Sequence, residues 1–221
     1  MTTTPTCREE WLAARQNGLG GSDAACVLGA NPYRTNVELW EDKAGLRLSA
    51  DLSDNPAVQY GIAAEGPLRR LFALDYPRFL LRYEEFDLRR DPEHPELLAT
   101  LDGELADDLT GARGTLEIKT ATLQSAQARK AWADGSVPQS YYCQVLHNMA
   151  VCRHEFAYLR ALLIFPAFGD VPERREIRDY RFDARDAQVK VDTEFLRNAE
   201  IAFWRDYVVP NRKPPLILPE L

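Results

Sequence analysis

The 221-residue sequence predicts one mixed α/β domain in which helices flank a central mixed sheet. Three observations predict it. Residues 1–75 carry helical periodicity broken by glycine-rich turns. Residues 76–122 hold three apolar or alternating runs bounded by Pro, Gly or Asp. Further helical segments and a strongly apolar strand follow, with no repeat or linker between them.

The elements follow in chain order. Trp11, Leu12 and Arg15 predict a short helix over 7–16, stopped by Asn17-Gly18-Leu19-Gly20-Gly21. Ser22 and Asp23 are expected to cap a second helix over 23–28. Thr35 is expected to cap a third, carrying Val37, Leu39 and Trp40 and ending near Gly45. Residues 46–55 read as a loop. Pro56 suits the first turn of a long helix over 56–75, with Val58, Ile62, Leu68, Leu71 and Phe72 as its apolar face. Strands are expected over 79–88, 97–105 and 115–121. Helices follow over 123–133 and 138–151, the latter with Tyr142, Val145, Leu146 and Met149 buried. Residues 154–165 and 175–182 read as paired strands, and 185–207 as the last helix. Residues 210–221 form a Pro-rich, extended tail. The expected division is a helical part over 1–75, the catalytic sheet and helices over 76–209, and the tail.

Composition excludes several functions. Cys7, Cys26, Cys143 and Cys152 have no Cys-x-x-Cys spacing, which argues against a zinc or disulfide framework. Cys143 and Cys152 are also too few for an iron–sulfur cluster pattern. His94, His147 and His154 form no ligand pair at helical spacing. No apolar run is long enough to span a membrane, residues 1–6 resemble no signal peptide, and a reduced cytoplasmic compartment is expected. The formal net charge of -7 argues against a protein that coats nucleic acid, but not against an enzyme that gathers carboxylates around metal ions.

The chemistry gathers in Leu101-Asp102-Gly103 and Leu116-Glu117-Ile118-Lys119-Thr120. Residues two apart in a strand share a face, so Glu117 and Lys119 point together and Ile118 points into a core. If Asp102 comes from the neighbouring strand of a hairpin, two carboxylates and an ammonium converge. Two carboxylates about 4 Å apart repel by roughly 1 kcal/mol in water and about 4 kcal/mol at an effective dielectric near 20. Such a cluster wants a cation, and its oxygen ligands select Mg²⁺, Mn²⁺ or Ca²⁺ over zinc. An exposed hairpin carrying solvated charges would show the same residues. Glu65 sits mid-helix among small neighbours, on an exposed stripe or aimed at a site. Arg15 and Ser22 flank the glycine-rich turn, which suits a phosphate. Gln144 lies in an apolar helix, as a core amide or a site residue. His147 and Cys143 read as structural.

Together these residues resemble the phage λ exonuclease (YqaJ-type) family of alkaline exonucleases, within the PD-(D/E)xK nuclease superfamily. The resemblance runs from Trp11 and Arg15 through Gly18-Leu19-Gly20-Gly21-Ser22-Asp23 and Glu38-Leu39-Trp40 to Glu65, Asp102, Glu117-Ile118-Lys119 and Gln144-Val145. It implies a restriction-endonuclease-like fold. It also implies that Asp102, Glu117 and the Ile118 backbone carbonyl bind metal, with Glu65 acting on a metal or its water. Lys119 would orient or activate the attacking water, and Gln144 would support the lysine. Arg15 and Ser22 would bind a 5′-terminal phosphate. The superfamily's proline before the aspartate is Leu101 here. Related RecB-type nucleases often carry a tyrosine four residues after the glutamine, where this chain has Asn148.

The activity implied is Mg²⁺-dependent, processive 5′→3′ degradation of one strand from duplex DNA ends, leaving 3′ tails for phage-type recombination. Two ions are implied, with Mn²⁺ able to substitute. A homotrimeric ring, a single-strand annealing partner and a phage or prophage origin in a bacterial cell are implied too. Arg15, Arg34 and Arg129 are candidates for a basic channel wall. A structure- or sequence-specific endonuclease and a non-catalytic DNA-end-binding scaffold are the alternatives.

Overall fold

A computed structural model describes residues 5–47 and 54–218. The expected loop over 46–55, the start of the chain and the end of the tail therefore lie partly outside the described residues. The N-terminal part holds α1 (Arg8–Gln16), β1 (Leu19–Gly20), α2 (Gly21–Val27), α3 (Asn36–Lys43) and α4 (Pro56–Asp75). Then come β2 (Phe79–Arg82), β3 (Arg89–Arg90), β4 (Leu97–Ala99), β5 (Gly103–Asp107) and β6 (Arg113–Thr122). The rest comprises α5 (Ala126–Lys130), α6 (Gln139–Cys152), β7 (Phe156–Phe165), β8 (Arg174–Asp183) and α7 (Ala187–Phe203), which ends in a π-helical turn, Trp204–Val208.

The main sheet has the order β2-β5-β6-β7-β8. Only β6 and β7 run parallel, joined through α5 and α6; the other pairs are antiparallel. Helices cover both faces. On one, Leu68 and Phe72 of α4 pack on Leu105, Leu116, Ile118, Phe156 and Tyr158. On the other, Val145, Leu146 and Met149 of α6 pack on Ala157, Leu159, Ala161 and Leu163 of β7. Fully burying a Leu or Phe side chain is worth about 1.5–3 kcal/mol, so these two layers fix the sheet. A small sheet, β1-β4-β3, seats the Leu19–Gly20 strand against Leu97 and Leu98.

Local chemistry explains where expectations held and where they shifted. Thr35 caps α3 as expected, its Oγ accepting from the Glu38 N–H at 3.2 Å while the Glu38 carboxylate accepts from the Thr35 N–H at 2.9 Å. In α2, Asp23 lies inside the helix rather than before it: its carboxylate reaches back to the Gly20 N–H at 3.1 Å. The strand expected over 79–88 stops at Arg82, because its partner β5 begins at Gly103, opposite Leu116, and offers no further pairing beyond Glu104. The run over 97–105 divides, since β4 belongs to the small sheet and β5 to the main one. The helix expected over 123–133 shortens to Ala126–Lys130, because the Leu123 N–H still donates to Ile164 O at 2.8 Å in the sheet. On α4 only Leu68 and Phe72 are buried; Ile62 is 62% exposed and Leu71 38%. The tail is anchored: the Asn36 side chain donates to Pro215 O at 2.7 Å and accepts from the Ile217 N–H at 3.0 Å. Gly29, at φ +69°, leaves room for Ile217.

Candidate active site

The β5–β6 hairpin brings the acid and the Glu-x-Lys pair together. Asp102 sits in the bend just before β5 rather than within a strand, and its carboxylate accepts from the Ile118 N–H at 2.7 Å. That bond exists because β5 pairs with β6 only as far as Leu116, opposite Gly103. Beyond it, the even-numbered residues of β6 face an open edge. Leu123, two positions on from the 117, 119 and 121 series, donates towards β7, which confirms that the odd-numbered residues face the other neighbour. A strand residue points its N–H and C=O to one side, so the Ile118 carbonyl lies on the same open edge as Asp102.

Glu117 and Lys119 share the face covered by α6, as the period of two requires. Glu117 is 1% exposed. One of its oxygens accepts from Lys119 Nζ and Gln144 Nε2, both at 2.6 Å; the other accepts from Asn148 Nδ2 at 2.9 Å. Lys119 Nζ also lies 5.5 Å from the Tyr141 ring. Gln144 thus holds the glutamate oxygen that also accepts from Lys119. Asn148 is a site residue that spacing alone did not reveal. The only sequence signal was an amide one helical turn after Gln144, on the same side.

Glu65 of α4 joins the group electrostatically. Burial, then the charge of Asp102, pushes its carboxyl up to about 7, against the pull of Lys119 and Arg69. Burial raises Asp102 too, opposed by Lys119, the Ile118 N–H and Arg69, which also donates to the Asp102 carbonyl. Glu117 is raised to about 7 by burial and by Asp102, with Lys119 opposing. Lys119 is raised as well: burial alone would lower it, but the charges of Glu117 and Asp102 hold it above its ordinary value. In this arrangement its ammonium form is favoured and donates to Glu117.

Among the described residues, no three His, Cys, Asp or Glu side chains stand close enough to ligate one ion together. The donors do suit a hard cation that keeps several waters. Magnesium commonly takes only one or two protein carboxylates. Asp102, Glu117 and the Ile118 carbonyl offer oxygen alone, and the raised carboxyls mark a charge that a cation would relieve.

The Arg15 guanidinium lies over the Trp11 ring, 4.4 Å from its centroid, and donates to Ser22 Oγ at 2.9 Å. Ser22 is exposed, so this pair is open to a ligand. Below it, Asp23 is buried. Burial pushes its carboxyl up, but Lys43 at 2.9 Å and Arg34 at 3.1 Å outweigh that and hold it below the ordinary range. Arg34 also pairs with Asp42 at 2.7 Å, so this candidate for a channel wall is spent inside the fold. Arg129 is exposed on α5. His147 is structural as expected, bonded to Glu200 at 2.7 Å and to the Leu98 carbonyl at 2.8 Å.

Gly21 ties the two halves of the site together. A Cβ there would lie 2.8 Å from Asn148 Oδ1 and 2.9 Å from Gln144 Cγ. The Arg15–Ser22 segment therefore rests directly on the two amides that grip Glu117, and glycine is what permits the approach.

No helix among the described residues is long and apolar enough to cross a membrane. By structure, the chain is similar to the alkaline exonuclease LHK-Exo from Laribacter hongkongensis, with a TM-score of 0.55 and 20% identity, covering 92% of this chain and 99% of that one. A complex of LHK-Exo with dAMP gives a TM-score of 0.61 at 18% identity over 92% of this chain and 95% of that one. A phage-related exonuclease from Haemophilus somnus 129PT gives 0.54 at 12% identity, over 88% and 96%. These likenesses establish the fold, a mixed sheet between helices. By sequence, the chain is 33% identical over 211 residues to the uncharacterized protein YqaJ of Bacillus subtilis (strain 168). That match covers 95% of this chain but 59% of YqaJ, so the chain spans well under two thirds of its relative's length. Residues 10–155 match the YqaJ-like viral recombinase domain, and the chain belongs to that family.

Proposed function

We propose that the protein is a metal-dependent deoxyribonuclease that degrades one strand of duplex DNA from its 5′ end and leaves a 3′ single-strand tail. The observation that carries this reading is the convergence of Asp102, Glu117, Lys119 and Gln144 at the open edge of β6. Asp102, Glu117 and the Ile118 carbonyl would hold Mg²⁺, two ions in all, with Mn²⁺ as a substitute. The metal would supply charge stabilisation for the phosphoryl oxygens and a water of lowered pKa. The chain's own residues do the rest. Lys119 keeps its proton and orients a water or a phosphate oxygen. Gln144 and Asn148 hold Glu117 in a single orientation. Glu65, raised by burial and by the charge of Asp102, would act on the metal or its water. Arg15 and Ser22 bind the terminal 5′-phosphate through charge-assisted hydrogen bonds.

The family and the nuclease fold support DNA ends as the substrate. Processivity, assembly as a homotrimeric ring, pairing with a single-strand annealing protein and residence in the cytoplasm of a phage-bearing bacterium belong to the same proposal. The test is a linear duplex labelled separately at each 5′ and 3′ end, incubated with Mg²⁺ beside a closed circle. Early release of the 5′ label with the circle intact is expected. Cutting of the circle would show an endonuclease, and end binding without nucleotide release would show a scaffold.

A further inference from the structure

A groove of about 650 Å³ opens beside Lys119, between the end of β6, α5 and the start of α6. Its volume falls within the roughly 300–1,000 Å³ usual for ligand clefts. Thr120, Thr122, Gln124, Tyr33, Tyr60 and Tyr141 are among the residues that line it. Among the described residues, none that lines it is acidic or basic, in a chain with 34 Asp and Glu. Two rings are open to solvent: Tyr33 is 92% exposed and Tyr60 37%. Tyr33 and Tyr141 line the same groove, and burial raises the Tyr141 hydroxyl against the opposing charge of Lys119. Cations lie near two of the rings, Lys119 Nζ 5.5 Å from the Tyr141 centroid and the Arg175 guanidinium, paired with Glu173, 5.8 Å from the Tyr60 centroid. Lys119 lies at the Tyr141 end, and Arg175 donates to the Tyr60 hydroxyl at 3.1 Å.

An uncharged groove of rings, hydroxyls and amides, bordered by cations, matches unpaired nucleobases with their phosphates outside. Its place in the molecule says which ones. Along α6, Tyr141 touches the groove, Gln144 reaches Glu117, and Gln144 and Asn148 back the Arg15–Ser22 segment. The acidic cluster thus lies between the groove and the proposed 5′-phosphate contact. We propose that Tyr33, Tyr60 and Tyr141 form a stacking track for unpaired bases of the degraded strand, on the 3′ side of the scissile phosphate. This rests on the nuclease reading for its orientation, but base binding can be measured without cleavage.

The probe is a 5′-phosphorylated thymidine hexanucleotide, labelled at its 3′ end and titrated by fluorescence anisotropy in EDTA. An abasic hexamer of equal charge is the control. Tyr33→Ala and Tyr60→Ala should each weaken the thymidine strand by about fivefold or more, the lower bound for one lost base–aromatic stack. Tyr33→Phe should keep wild-type affinity. The abasic strand should bind wild type weakly and lose nothing further in the alanine variants. Tyr33 is almost wholly exposed, so the fold should survive, and a thermal melt checks it. Equal affinity for the abasic and thymidine strands, or a Tyr33→Ala loss below twofold, would overturn the track. So would a change in sedimentation on Tyr33→Ala without a change in strand affinity, since a second copy would then cover the groove. Cleavage of duplex ends is assayed in parallel. Ring-dependent binding without any cleavage sinks the nuclease reading alone, and cleavage without ring-dependent binding sinks the track alone.

Discussion

Replacing Asn148 with alanine should separate stability from function at Glu117. The side chain donates to the buried Glu117 carboxylate at 2.9 Å, and its own Oδ1 is buried without a hydrogen-bond partner. Losing a donor to a charged group costs about 1.5–3 kcal/mol, while removing an unsatisfied buried oxygen returns about 1–3 kcal/mol. The small cavity left behind adds about 1 kcal/mol. The net loss should therefore be only about 1 kcal/mol, a shift in Tm of roughly 2–4 °C for a domain of this size. Function should suffer more. Groups that orient a metal ligand typically cost about 10–100-fold in affinity or activity when removed. Urea unfolding without metal gives the first number; the Mg²⁺ dependence of cleavage and direct Mn²⁺ binding give the second. A loss of stability above about 3 kcal/mol with unchanged metal dependence would refute the reasoning, and Asn148 would be a core strut.

Three other predictions follow from single contacts. Lys119→Ala should abolish cleavage while sparing DNA-end binding, measured by gel shift beside a nucleotide-release assay; retained activity sinks the assigned role. Arg15→Ala should lower the preference for 5′-phosphorylated over 5′-hydroxyl ends, and equal rates on both ends in wild type would remove the basis for that contact. Acid should weaken the fold through Glu104. Burial raises this carboxyl, but Arg89 and Arg113 outweigh burial and bring it from 4.5 to about 2. A folded pKa below the unfolded one contributes stability above the unfolded value, and that stability is lost as pH falls through the folded one. The contribution is about 2–3 kcal/mol, present above pH 4.5 and fading towards pH 2. Urea midpoints should change little through Glu104 between pH 7 and 5 and fall between pH 5 and 3 for wild type, and Glu104→Gln should flatten that fall.

Much of the candidate site is legible in the sequence. The period of two placed Glu117 and Lys119 on one face, and Thr35 announced its helix, because both are short-range facts. Asp102 was legible as a partner but not in its placement, since the switch from one sheet to another depends on β1 and β3 pairing with β4. The exposed Ile62 and Leu71 misled for a related reason: α4 meets the sheet along a narrow stripe, and periodicity reports which residues could be buried, not how much neighbour there is to bury them. Asn148 was hidden more deeply. Its role depends on Glu117, 31 residues away, and on Gly21, more than a hundred residues away.

The clasp between Asn36 and the tail also sets an order of events at the ribosome. The last strand to flank the acidic cluster, β7, ends at Phe165, whereas Asn36 waits for Pro215 and Ile217. At about 5–20 residues per second, those 50 intervening residues take roughly 3–10 s to synthesise. During that interval β6 and β7 of a nascent chain can pair while α3 still lacks its Asn36 brace.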